Sequence, residues 1–451
     1  MVHGARILVL AAVTLAVTAA SATPVPTRGR LDVLVVLASF PDRPLRHARA
    51  HFVGEATSLV DRLVAYYAEA SSGRLEIVPH VAATPIGLPR PRANYVQRAP
   101  VLARQALDVF VRTARDPADR AALERARIAI VFFAGAGRES HVSGGAPDDP
   151  WSNYVALVPP LHQIHDVCVI AETEDAPFES FGVLCHEFGH ALGLPELYAP
   201  GGKAHEGIGV WGLMGQGTWL GRGSSPPHPS AWEKMKLGWV DVETIDETRI
   251  GVRLPAAPDE PRVVKIPAVP GRPEEYYLLE NRQRRGHDAA LPGDGILVWH
   301  VDERVGGFRS AQLDPTHKML HLVEADGRGD LDRGHAAGGN RGDDGDPWSG
   351  PPRWRRVAGA GMALAGAVFV ALALLRFASP RPFAVATLRL VLGIGLLWAG
   401  SLMRWTPVCG PDTPGMAPYG GEPVRAVIRN FSPSGPEMRF DVLVAAAPPG
   451  S

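Results

Sequence analysis

Cysteine is scarce in this chain: three occur in 451 residues, Cys168, Cys185 and Cys409. That excludes a small disulfide-stapled scaffold. A Cys168–Cys185 bridge is open to the chain in an oxidising compartment; the alternative is that Cys185 is a small buried helix residue. An excess of one charge is also missing, with Lys+Arg 46 against Asp+Glu 47 and a net charge of -1. No basic tract and no phosphate-cradling glycine loop occurs, so nothing points to a nucleic-acid or nucleotide partner. Apolar content is not short: 46% of residues are hydrophobic and 21% charged, a globular composition long enough for two or three folding units.

What the chain does contain is organised around Cys185-His186-Glu187-Phe188-Gly189-His190-Ala191-Leu192-Gly193-Leu194-Pro195-Glu196-Leu197-Tyr198, of the form HExxHxxGxxE. Residues four apart lie on one helix face, so His186 and His190 can aim two imidazole nitrogens at one zinc ion. Glu187 falls about 100° further round, where it reaches a water on that ion as general base without ligating the ion. Gly182, Gly189 and Gly193 are expected to leave room beside the backbone for metal and substrate. Leu184, Phe188 and Leu192 form the inward face. Gly193 and Pro195 end the helix, and Glu196 can then swing back as third ligand. Glu233, in AWEKMKLGW, is the alternative third ligand.

The run HEFGHALGLPELY resembles the immune inhibitor A type of secreted zinc metallopeptidase, as do GIGVWGLMGQGTW (Gly207–Trp219) and PSAWEKMKLGW (Pro229–Trp239). So do YYAEASSGRLEIVPHV, YLLENRQ, LPGDGILVWHVD and the later SPSGPEMRFDVLV, and the likeness extends over most of residues 31 to 350. In that family the third ligand is usually an aspartate, where this chain has Glu196. The resemblance also implies that Met214 is the methionine of a turn beneath the metal.

In chain order, an apolar run from Ile7 to Ala20 and the small residues Ala20-Ser21-Ala22 read as an export signal, residues 1–22. With so little chain between Ala22 and the first strand, no long inhibitory prosegment is expected. The catalytic domain is expected over 23–242. Strands at Leu31–Ala38, Arg74–Val81 and Ile128–Phe133 alternate with helices at Glu55–Ala70 and Val101–Thr113, an α/β layer carrying the zinc helix, Phe178–Leu192. Trp151–Pro159 and Asp166–Glu172 read as a surface strand pair. DVCVIAE is the candidate edge that pairs with substrate, the alternative being an interior strand.

Residues 243–356 change to short strands broken by Pro and Gly, a β-rich part completing the peptidase module. His300 and Asp302 alternate on one of these strands and favour a structural or solvated role. Asp326, Asp330, Asp332, Asp343, Asp344 and Asp346 lie among glycines, and such carboxylates can wrap calcium. The alternative is a solvated loop with Arg328, Arg333 and Arg341 as partners. Val357–Leu375 and Leu390–Met403 are apolar runs, the first about as long as a bilayer span, and 357–405 is expected to form a transmembrane hairpin rather than a buried helical one. Residues 406–451 would be a β-rich extracellular tail.

The fold expected is thus an α/β metzincin-like zinc peptidase domain with a β-rich C-terminal part and a transmembrane helical hairpin. The function expected is that of an exported, membrane-anchored zinc endopeptidase acting on protein or peptide substrates. A non-catalytic surface binding or adhesion protein on the same fold is the alternative, against which the intact Glu187 argues.

Overall fold

The computed structural model describes residues 24–140, 149–199, 204–257, 259–307, 312–351, 353–377, 383–404, 409, 413, 416–421 and 424–445. The export signal expected at residues 1–22 lies outside the described residues.

The first strand, β1 (Gly29–Ser39), is apolar in both phases of its two-residue period. Leu31, Val33, Val35 and Leu37 face one core, Leu34, Val36 and Ala38 the other, and all are buried. After it come α1 (Leu59–Ala70), β2 (Leu75–Val81), the short β3 (Ile86–Gly87), α2 (Ala99–Thr113), α3 (Pro117–Arg125) and β4 (Ile128–Ala136). Next are β5 (Asn153–Leu161), β6 (Ile164–Thr173) and α4 (Phe181–Ala191). The helix α1 starts at Leu59 rather than Glu55 because Ser58 caps it, accepting from the N–H of Asp61. The strands form a six-stranded sheet in the order β2-β1-β4-β6-β5, with β3 beside β1. Leu63, Tyr66 and Tyr67 of α1 and Leu184 and Phe188 of α4 fill one side; Leu102, Ala106 and Phe110 of α2 fill the other.

The expected strand pair between β4 and α4 exists, but with its roles exchanged. β6, which holds DVCVIAE, is interior, parallel to β4 on one side and antiparallel to β5 on the other. The open edge belongs to β5. Its run of Pro159 and Pro160 cannot donate to a further ladder bond, and Val158 is 88% exposed, as an outer strand permits.

Beyond α4, the short α5 (Ala231–Lys236) is followed by β7 (Asp241–Thr244), β8 (Arg249–Pro255), β9 (Arg262–Pro267), β10 (Glu275–Arg282), β11 (Gly295–Asp302) and β12 (Leu320–Leu322). β12-β11-β10-β9-β7 is a five-stranded sheet in which β10 and β11 are buried along their whole length. A buried ion network ties it to the first layer. Arg282 of β10 donates from Nε to Asp288 Oδ2 at 2.8 Å and from Nη1 to the carbonyl of Trp211 at 3.1 Å. Lys234 of α5 reaches Glu280 at 3.2 Å. His300 and Asp302 are buried in a comparable network, His300 beside Glu275 at 3.2 Å and Asp302 held by Arg304 and His317.

The two apolar runs form α6 (Arg353–Phe377) and α7 (Phe383–Arg404). They pack closely through glycine: a Cβ on Gly366 would come within 2.6 Å of the Gly393 carbonyl oxygen. The expected transmembrane hairpin is nevertheless corrected, since among the described residues no helix is long and apolar enough to cross a membrane. Gly359, Gly361 and Gly366 interrupt the first run, Gly393 and Gly395 the second, and Arg389 lies within α7. The expected membrane anchoring falls with it. After the hairpin, β13 (Ala426–Arg429) and β14 (Glu437–Val444) join β8 in a three-stranded sheet, so the chain returns to the β-rich part.

Candidate functional site

The helix α4 is seated by its glycines. A Cβ on Gly182 would lie 2.0 Å from the carbonyl oxygen of Thr218, and one on Gly189 would lie 2.6 Å from Met214 Sδ. These two glycines therefore make room for the segment beneath the helix, not for metal and substrate as expected. Gly193, at φ +96°, turns the chain out of the helix. The turn brings Glu196 back: its Oε2 is 3.4 Å from His186 Nε2 and its Oε1 is 3.2 Å from His190 Nε2.

The far nitrogens of both rings are held by backbone. His186 Nδ1 lies 3.1 Å from the carbonyl oxygen of Leu213, and His190 Nδ1 lies 2.8 Å from that of Leu194. A proton fixed on each Nδ1 leaves both Nε2 lone pairs facing Glu196, the orientation in which an outer hydrogen bond holds a ligating histidine. Thr218 Oγ1, 3.1 Å from His186 Nδ1, is a further support. Glu196 Oε2 is buried without a hydrogen-bond partner. Two imidazole nitrogens and one carboxylate oxygen within 4.8 Å of one another are a donor set that fits zinc with an open fourth position.

Glu233 is elsewhere. It caps its own helix through Ser230 and accepts from the N–H of Met214 at 3.3 Å. Met214 is fully buried under α4, and its carbonyl accepts from Leu197 N–H at 2.9 Å, tying the turn to the segment that carries Glu196. Glu187 Oε2 accepts from the N–H of Tyr154, on the edge strand β5, at 2.6 Å.

Electrostatics follow from this packing. Burial disfavours a charged His186, but the adjacent Glu196 carboxylate, with the charge of Glu187 and the Leu213 carbonyl adding, outweighs that and raises it to about 9. Burial pushes Glu196 upward as well; His186 and His190 together bring it well below the usual carboxylate range. Glu187 is raised by burial and by the charge of Glu196, against the pull of both histidines and the Tyr154 N–H. A raised carboxylate is what a base working near neutrality needs. The site opens into a cleft of about 310 Å³, lined by Trp151, Ser152, Gln216, Trp219, Tyr198 and Glu139.

The acidic loop is partly gathered. Glu324, Asp326 and Asp346 form one group whose oxygens lie within 4.8 Å, and Asp326, Asp330 and Asp343 form another. Asp332 is not among them, being held by Lys318 and by His321 at 3.2 Å, and Asp344 joins neither group. Glu324 was missed by sequence reasoning, which looked for short carboxylates between glycines. Asp346 Oδ2 accepts from Trp211 Nε1 at 2.8 Å, while Oδ1 is buried with no partner. Burial, with the charges of Glu324 and Asp343 adding, pushes Asp346 up to about 7. All three cysteines are free and buried, so the Cys168–Cys185 bridge is not formed.

A helix presenting two histidines and a carboxylate, with a second carboxylate returning from its end, is an arrangement that suits a metallopeptidase. Residues 163–240, which contain it, match the family described as immune inhibitor A peptidase M6, catalytic domain, so the resemblance read from the sequence holds where the site lies. The pre-pro-metalloprotease PrtV of Vibrio cholerae is 31% identical over 94 residues, 19% of this chain and 10% of that protein. Immune inhibitor A of Bacillus thuringiensis subsp. alesti is 33% identical over 88 residues, 18% of this chain and 12% of that protein. The matched part thus spans about a tenth of these relatives' length. No solved structure matches.

Proposed function

We propose that the protein is an exported zinc-dependent endopeptidase, with His186, His190 and Glu196 as ligands and Glu187 as general base. The observation that carries this reading is the convergence of the three ligand atoms beside a carboxylate fixed to an open strand edge. Zinc bound there would supply an acidified water and polarise the scissile carbonyl. Glu187 takes the proton of the attacking water on the oxygen not engaged by Tyr154, and returns it to the leaving amine. His186 and His190 keep their tautomers through Leu213 and Leu194. Met214 supports the helix from below and does not touch the reacting atoms. The open edge of β5 receives an extended peptide by strand addition. Residues 23–242 form the catalytic module in this reading, 243–356 complete it, and the tail after the helical hairpin adds strands to the β-rich part. Export rests on the apolar run of residues 1–22.

The acidic loop is a calcium site in the same reading, with Glu324, Asp326, Asp330, Asp343 and Asp346 supplying oxygens; the unpartnered, buried Asp346 Oδ1 supports it. The experiment for the peptidase reading is hydrolysis of casein by the signal-cleaved protein beside Glu187→Ala, with zinc determined in both. Equal zinc with cleavage by the parent alone is expected. Equal zinc with cleavage by neither overturns it.

A further inference from the structure

The cleft carries an acidic residue, Glu139, that the proposed chemistry does not use. Glu139 follows β4 on a short turn and lines the cleft, its carboxylate oxygens 3.3 and 3.2 Å from the N–H of Ser152. Ser152 precedes by two residues Tyr154, whose N–H holds Glu187. Along an extended strand that spacing is roughly 6–7 Å, so Glu139 lies about one side-chain length from the base. Behind Glu139 stands Glu174, 7% exposed, with neither carboxylate oxygen hydrogen-bonded. Burial, then the charge of Glu139, pushes Glu174 up to about 9. Burial pushes Glu139 up as well, so a negative charge on it is costly until a cation meets it.

The walls beside the pair suit one sort of visitor. Trp151 is 45% exposed, and Trp151, Trp219 and Val183 all line the cleft, Val183 in the first turn of α4. Indole faces and an apolar rim accept the methylene stem of a long side chain whose charged head goes on to an acid.

We propose that Glu139, backed by Glu174, anchors a cationic side chain of the substrate, so that the cleft selects peptides with Lys or Arg next to the scissile bond on the side of the α4 N-terminus. The selection rests on the peptidase reading, but the binding it requires does not. Neutral or acidic side chains leave the pair uncompensated and are disfavoured.

Two measurements test it on the signal-cleaved protein. Matched peptides differing only in Lys, Leu or Glu at the flanking position are titrated into zinc-loaded Glu187→Gln by calorimetry, and the same peptides are offered to the parent. The Lys peptide is expected to bind and be cut about tenfold or more in preference to the Leu peptide. Glu139→Gln, which keeps the shape, should collapse that ratio toward one, and Glu139→Lys should turn it toward the Glu peptide. Equal binding of all three peptides, or a ratio untouched by Glu139→Gln, overturns the anchor. Selective binding of the Lys peptide without any cleavage by the parent would uphold the anchor and sink the peptidase reading instead.

Discussion

Glu187 is hydrogen-bonded to the backbone N–H of Tyr154 at 2.6 Å, which ties the carboxylate of the helix to the open edge of the sheet. The bond engages Oε2 of a side chain that lines the cleft. Glu187→Gln keeps the shape and removes the base, and is expected to lower kcat about 10²–10⁴-fold with zinc retained. Metal analysis beside casein turnover checks both halves.

Glu196→Ala is expected to lose most of the bound zinc, because only two nitrogens remain. Glu233→Ala should retain it and lose stability instead, by about 1–3 kcal/mol, since the N–H groups of Ser230 and Met214 lose their acceptor. Zinc-to-protein ratios after dialysis distinguish the two carboxylates. Zinc retained in Glu196→Ala would remove Glu196 from the ligand set.

Calcium should raise the thermal midpoint. A ligand binding only the folded state stabilises it by about 2.7 kcal/mol at a hundred times its Kd. Asp346→Asn is expected to abolish most of that rise, and magnesium should reproduce little of it, since magnesium tolerates irregular oxygen cages poorly. A midpoint indifferent to calcium in the parent would dismiss the cation.

Arg282→Met should cost about 3–5 kcal/mol, because Asp288 and Glu280 then remain buried with less compensation. Chemical denaturation of the two proteins gives the difference. A loss under about 1 kcal/mol would mean that the network is neutralised by proton uptake.

Glu174 gives stability a slope with pH. Its folded value, raised to about 9 by burial and then by Glu139, with Asp175 adding, lies above the unfolded carboxylate value near 4.5. The folded state therefore holds the extra proton between those values, and stability falls as pH rises through that window. Glu174→Gln should flatten this slope and raise the midpoint at pH 8. Midpoints measured from pH 5 to 9 read it directly, and parallel curves for the two proteins would dismiss it.

Much of the first layer is legible in the residues alone. β1 announces itself by being apolar in both phases, and α4 by the spacing of His186, His190 and the glycine turn. Of the two readings open for DVCVIAE, edge or interior, the interior one holds, as its unbroken apolar run suits; Pro159 and Pro160 are the signal that β5 is the edge. The hairpin was misjudged by counting run length. Glu139 and Glu174 carry no motif, since only the fold brings a turn after β4 and the residue following β6 together. Glu324 joins the acidic loop from the end of a β-strand region, outside the glycine-rich stretch that drew attention.

The contact at Gly182 sets the helix backbone against the carbonyl of Thr218 with no side chain between them. A part seated in this way has no adjustable shim. Bulk added there displaces His186, His190 and Glu187 together, as one rigid insert, so the spacing among them survives while their aim at the cleft is lost.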